Sequence, residues 1–107
     1  CGLIVSGFNK EEAQSFPDNS YRFVKAINEM LRYSTLSRHP KVVSYTQNLN
    51  KTEIVKLGIR IGAPLELIWS CYLNGRKMCG ECESCMRTKR AFRLSGNLDL
   101  IKNRFAQ

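Results

Sequence analysis

The chain has 107 residues, enough for one domain with a modest core and too few for several. Seventeen Lys and Arg against nine Asp and Glu give a formal charge of +8, yet acids are interleaved with the bases throughout, which argues against a dedicated nucleic-acid arm. The apolar runs span only a few residues, so no transmembrane segment or signal peptide is legible, and clustered cysteines suit the reducing cytoplasm.

The first residues, Cys1-Gly2-Leu3-Ile4-Val5-Ser6-Gly7-Phe8, read as a strand already under way, as expected of a piece of a longer protein. Leu3, Ile4 and Val5 predict a buried strand ending at Gly7. Asn9 to Asp18 reads as a loop. Pro17-Asp18-Asn19-Ser20 then marks a helix start, with Asp18 placed to cap. Phe23, Ile27 and Met30 or Leu31 recur at helical spacing and predict an amphipathic helix to about Leu36. His39, the only histidine, precedes Pro40 and reads as a surface residue.

After Pro40, Lys41-Val42-Val43-Ser44-Tyr45 predicts a second strand rich in β-branched residues. Asn50 can cap a second helix, with Glu53 three residues on as in a capping box and Ile54, Leu57 and Ile61 on its buried face; Gly62 and Pro64 stop it. Cys85 to Leu94 predicts a last helix, closed by Ser95-Gly96. The order strand, helix, strand, helix argues for an α/β fold built on a right-handed parallel β-α-β unit.

Four of the five cysteines, Cys71, Cys79, Cys82 and Cys85, fall in one short stretch. A C-x2-C-x2-C run turns tightly enough to deliver three thiolates to one tetrahedral ion, and the step back to Cys71 supplies a fourth. Gly80 lets the backbone turn with its amides toward the sulfurs. Zinc in a structural role fits best, because four thiolates leave no open position for water. An iron–sulfur cluster shares the C-x2-C-x2-C spacing but lacks here its Cys-Pro pair, and a pair of disulfides would strain cysteines three apart.

Leu49 to Gly58, then Gly62-Ala63-Pro64-Leu65-Glu66-Leu67-Ile68-Trp69-Ser70-Cys71-Tyr72, then Cys79-Gly80-Glu81-Cys82-Glu83-Ser84-Cys85 with Arg90-Ala91-Phe92 following, closely resemble the C-terminal half of the 7-cyano-7-deazaguanine synthase family. With Gly7-Phe8-Asn9 and Phe16-Pro17-Asp18 the similarity covers nearly the whole chain. It implies part of a PP-loop, adenine nucleotide alpha hydrolase-like fold, with residues 1–68 in the α/β ligase domain and 69–107 forming the zinc knuckle and C-terminal helix. It further implies an ATP-dependent carbon–nitrogen ligase, using Mg2+ with ATP, that converts 7-carboxy-7-deazaguanine and ammonia to 7-cyano-7-deazaguanine for queuosine or archaeosine in tRNA. Self-association and no membrane partner are implied as well. Asp18 and Asn9 are the candidates for contacting the base, whose amino and ring N–H groups need oxygen acceptors.

Two departures stand out. Lys10-Glu11-Glu12-Ala13 differs from the Asp-Tyr-Ser-Gly version of bacterial members and points to an archaeal one. The Ser-Gly-Gly-x-Asp-Ser pyrophosphate loop is nowhere in the sequence, so this segment should lack catalytic competence without an N-terminal half. The other functional class is a zinc-knuckle RNA-binding module without catalysis, with Arg87, Lys89, Arg90 and Arg93 on phosphates and Tyr72 or Trp69 stacking on bases. A solvated helix face explains the basic residues as well, and Trp69, in an apolar run, reads as core.

Overall fold

The computed structural model describes residues 2–36 and 38–106. Two compact units divide the chain, Cys1–Asn50 and Lys51–Gln107; the division drawn from the family resemblance falls instead after residue 68.

The first unit runs β1 (Leu3–Val5), α1 (Lys10–Ser15), a 3-10 turn (Pro17–Asn19), α2 (Tyr21–Ser34) and β2 (Lys41–Val43). The strands pair in parallel, with Leu3 opposite Lys41, Ile4 opposite Val42 and Val5 opposite Val43. The parallel β-α-β expectation therefore holds, and ladder bonds from Lys41 N–H to Gly2 C=O (3.2 Å) and Ser6 N–H to Val43 C=O (2.9 Å) extend it. β2 stops at Val43, short of the Tyr45 expected.

The expected burial of β1 does not hold: Leu3, Ile4 and Val5 are 47%, 42% and 61% exposed. Among the described residues β1 has β2 as its only ladder partner and little to cover its faces. The expected Asn9–Asp18 loop is also corrected, since Lys10–Ser15 is helical. Asn9 Oδ1 accepts from the Glu12 N–H at 2.9 Å, and Glu11 and Glu12 place negative charge in the first turn, where the helix dipole favours it. The signal was present as Asn-x-x-Glu, a capping-box pattern.

α2 starts at Tyr21 and is capped by Ser20, whose Oγ accepts from the Phe23 N–H at 3.1 Å. Asp18 is not the cap; it sits in the preceding 3-10 turn. The helix ends at Ser34, two residues before Leu36, where Thr35 takes extended geometry. On its inner face Val24 is buried and Asn28 reaches β2: Asn28 Nδ2 donates to Val42 C=O at 2.8 Å and Asn28 Oδ1 accepts from Val42 N–H at 2.7 Å. The side-chain amide thus does for β2 what a neighbouring strand's peptide would do. Loops after the two strands are tied together, with Thr46 Oγ1 donating to Phe8 C=O (2.6 Å) and Lys10 N–H to Leu49 C=O (2.9 Å). His39 is exposed as expected, its Nδ1 2.6 Å from Thr35 Oγ1.

The second unit runs α3 (Lys51–Arg60), a 3-10 turn (Leu65–Leu67), the cysteine-bearing loop, α4 (Glu83–Leu94) and two further 3-10 turns (Leu98–Leu100 and Lys102–Arg104). Its core joins Val55, Met78, Cys85, Ala91, Phe92, Ile101 and Phe105, with Leu65, Ile68, Leu98 and the remaining cage cysteines packed against it. α3 buries Val55 and Gly58, and a Cβ on Gly58 would meet Leu65 Cδ2 at 3.0 Å, so the leucine packs tightly against the bare helix backbone and would have to shift for any larger residue. Ile61 was expected on the buried face but is 70% exposed, because the helix has ended at Arg60 and Gly62, at φ +75°, turns the chain away. α4 begins at Glu83 rather than Cys85 and closes at Ser95 and Gly96 as expected.

Replacing Asn28 by Ala leaves the Val42 N–H and C=O, which lie in a buried residue, without their side-chain partner. Losing such a pair costs about 1–3 kcal/mol. Thermal unfolding of Asn28→Ala should fall accordingly, and amide exchange at Val42 should accelerate more than at Val24.

Candidate metal centre

The loop between Ile68 and Glu83 has little regular backbone pairing. Its shape comes from sulfur. Leu73 and Cys79 N–H groups donate to Cys71 Sγ at 3.3 and 3.4 Å. Glu81 and Cys82 N–H groups donate to Cys79 Sγ at 3.5 and 3.3 Å. Gly80, at φ +82°, provides the left-handed turn that aims those amides inward. Cys82 is the N-cap of α4, its Sγ accepting from the Cys85 N–H at 3.5 Å. Lys89 closes the turn from outside, its Nζ donating to Gly80 C=O at 3.0 Å and lying 4.8 Å from the Phe105 ring centre.

The four sulfurs lie within 4.8 Å of one another, and Cys79 Sγ is 3.9 Å from Cys85 Sγ. Four sulfurs set ~2.3 Å from a tetrahedral ion stand about 3.8 Å apart. The four thiols are free, so the group could hold a metal ion such as zinc and is not a pair of disulfides here. Its donor set fits zinc: soft sulfur on all sides, and backbone N–H donors on the sulfurs to spread thiolate charge.

Electrostatics are uneven around the cage. Cys82 is lowered to about 6, chiefly by the Tyr72 backbone N–H and then by that of Cys85. Cys71 is lowered by the Cys79 backbone N–H. Burial pushes Cys85 up to about 12, against the pull of the Gly80 backbone N–H. In the metal-free protein negative charge is thus favoured at Cys82, while Cys85, in the core, keeps its proton until a cation displaces it.

Of the residues considered for substrate contact, Asn9 is buried with its oxygen already accepting from Glu12, and Asp18 is exposed and accepts from Asn19 Nδ2 at 3.1 Å. Both lie in the segment that follows β1. The basic set on α4 is partly committed internally: Arg87 pairs with Glu83, and Lys89 is held by Gly80 and Phe105. Trp69 is 42% exposed rather than core, with the Arg104 guanidinium 6.0 Å from its ring centre. Sequence reasoning missed Met78, Ile101 and Phe105, which are buried directly behind the cage.

Comparison with known proteins decides the family. The family described as queuosine biosynthesis protein QueC matches residues 1–96. The chain belongs to the QueC family. Proteins named 7-cyano-7-deazaguanine synthase are similar to it: one from Carboxydothermus hydrogenoformans is 62% identical over 82% of this chain and 40% of that protein. Another from Pelotomaculum thermopropionicum is 60% identical over 90% of this chain and 43% of that protein. An archaeal relative, from Methanothrix thermoacetophila, is 52% identical over 83% of this chain and 41% of that protein. The chain thus spans less than half the length of the curated relatives it matches. No solved structure matches it.

Elemental analysis of the purified QueC-family chain should give one zinc, lost when any of Cys71, Cys79, Cys82 or Cys85 becomes Ser; iron in its place would reassign the site to a cluster. Loading must release the Cys85 proton, so zinc affinity should fall as pH falls. The fall should steepen below about pH 6, where Cys82 is protonated too. Competition with a chromophoric chelator across pH measures this.

Proposed function

We propose that this chain is the C-terminal part of an enzyme that makes 7-cyano-7-deazaguanine from 7-carboxy-7-deazaguanine, ammonia and ATP, for queuosine or archaeosine in tRNA. The observation that carries the reading is the match of residues 1–96 to the family, together with identities above 50% to several proteins named for that activity. A carboxylate oxygen leaves poorly until ATP converts it to a phosphate ester, so the reaction needs activation, amination to the amide, and a second activation before dehydration to the nitrile. The protein's task in each step is to hold nucleotide and base together and keep water out.

The cysteine cage holds one structural zinc, since four thiolates leave no position for water or substrate, and the ion stabilises the loop between Ile68 and Glu83. Residues 1–68 complete a PP-loop ligase domain, and 69–107 form the knuckle and its helix. The exposed apolar face of β1 fits a strand that takes further neighbours. The pyrophosphate loop, which would bind ATP with Mg2+, belongs to an N-terminal half; the enzyme works in the cytoplasm as a homo-oligomer. Among the described residues no helix is long and apolar enough to cross a membrane. Asp18 offers a carboxylate to the N–H edge of the base, and Asn9 orders the segment that presents it.

The isolated chain should neither hydrolyse ATP nor make 7-cyano-7-deazaguanine, and joining it to a half bearing the pyrophosphate loop should restore both, because phosphoryl chemistry needs fixed backbone N–H groups at the phosphates. In the joined enzyme Asp18→Ala should raise KM for the deazaguanine acid and leave that for ATP unchanged. Ser20→Ala, which removes the α2 cap, should instead lower stability by about 1 kcal/mol with little kinetic effect. Turnover by the isolated chain would overturn the reading.

A further inference from the structure

Residues 97–106 are built into the wall of the cage. Ile101 and Phe105 are buried in the core and anchor them. Between these anchors Arg104 reaches across the fold, and its Nη2 donates to Ile68 C=O at 3.1 Å and lies 3.5 Å from Leu67 C=O. The same residue's backbone C=O accepts from Met78 N–H at 2.8 Å, and Ala106 N–H donates to Met78 C=O at 2.8 Å, forming a parallel bridge between Met78 and Phe105. Met78, fully buried, turns its sulfur to Ser70, accepting from the backbone N–H at 3.3 Å.

Cys71 follows Ser70 and Cys79 follows Met78. The C-terminal segment therefore grips both arms that deliver these two ligands: one through the carbonyls just before Ser70, the other through both backbone groups of Met78. The Cys79 N–H to Cys71 Sγ contact, 3.4 Å, sits where the arms meet. Arg104 suits this work because its Nη2 carries two N–H groups fixed in the guanidinium plane and so can face both carbonyls from one side, where lysine offers a rotating point charge. Its Nε is buried without a hydrogen-bond partner among the described residues, so the guanidinium is committed to this place despite a cost in desolvation.

We propose that residues 97–106 act as a strap on the metal centre and that Arg104 is a positioning residue that sets how long the metal is retained, by fixing the Cys71 arm against the Cys79 arm. The proposal rests on the reading that the cysteines hold zinc. Outer groups that orient metal ligands change affinity by about 10–100-fold when removed, and a loss of this size is expected here.

The test uses the full chain loaded with zinc, following release to a chromophoric chelator. Arg104→Ala should release zinc at least about tenfold faster than the parent. Arg104→Lys should fall between them and carries the comparison if the alanine variant does not fold. Val55→Ala, a core truncation in α3 that removes none of the hydrogen bonds described for either arm, serves as the control at matched loss of melting temperature. Cobalt in place of zinc should show altered thiolate charge-transfer absorption in the Arg104 variants and parent-like absorption in Val55→Ala. Release from Arg104→Lys at the parent rate, or from Val55→Ala as fast as from the Arg104 variants, would overturn the strap. A parent chain that carries no zinc would overturn the metal reading itself.

Discussion

Backbone amides that point at sulfur, rather than at carbonyl oxygen, govern the second unit. Leu73, Cys79, Glu81 and Cys82 all donate to thiol groups, so the loop between α3 and α4 takes its shape from the cysteines. A neutral thiol is a weak acceptor and a thiolate a strong one. The loop's order is consequently tied to the charge on its sulfurs, and a bound cation is what keeps several thiolates together in one small volume. α4 adds to this, since the Cys85 N–H in its first turn donates to Cys82 Sγ and the helix N-terminus favours negative charge there.

The chain spacing of the cysteines was enough to place the cage, because metal-ligand spacing is a local property of a tight turn. Helix starts and stops were equally local: Ser20, Gly62 and the pair Ser95-Gly96 act within a few residues of themselves. At Asn9 the same kind of local signal, Asn-x-x-Glu, starts a helix inside a stretch whose composition alone suggests a loop. Burial behaved differently. Leu3 to Val5 form a strand whose composition suits a sheet interior, but exposure depends on what covers it, and that information is not in the strand. Ile61 has the correct period for the α3 stripe and lies past the helix end.

Met78, Ile101 and Phe105 were illegible for a further reason. They meet through a bridge between residues 27 positions apart, outside any periodic element, and no window along the sequence could pair them. Isolated apolar residues in a polar stretch look like ordinary surface residues until the chain returns to cover them. The substrate candidates had the opposite problem: Asn9 and Asp18 are legible as hydrogen-bonding residues, and local partners alone account for the geometry they show.

Asn28 gives the small sheet a direction. By pairing with both backbone groups of Val42, it occupies the side of β2 that faces away from β1 with a side chain that cannot itself be extended. Another strand arriving there would first have to displace a two-point amide contact. Growth of this sheet past β2, whether from the rest of the same polypeptide or from an unwanted encounter with a second copy, is thereby opposed, and polymerisation through both margins is blocked at β2.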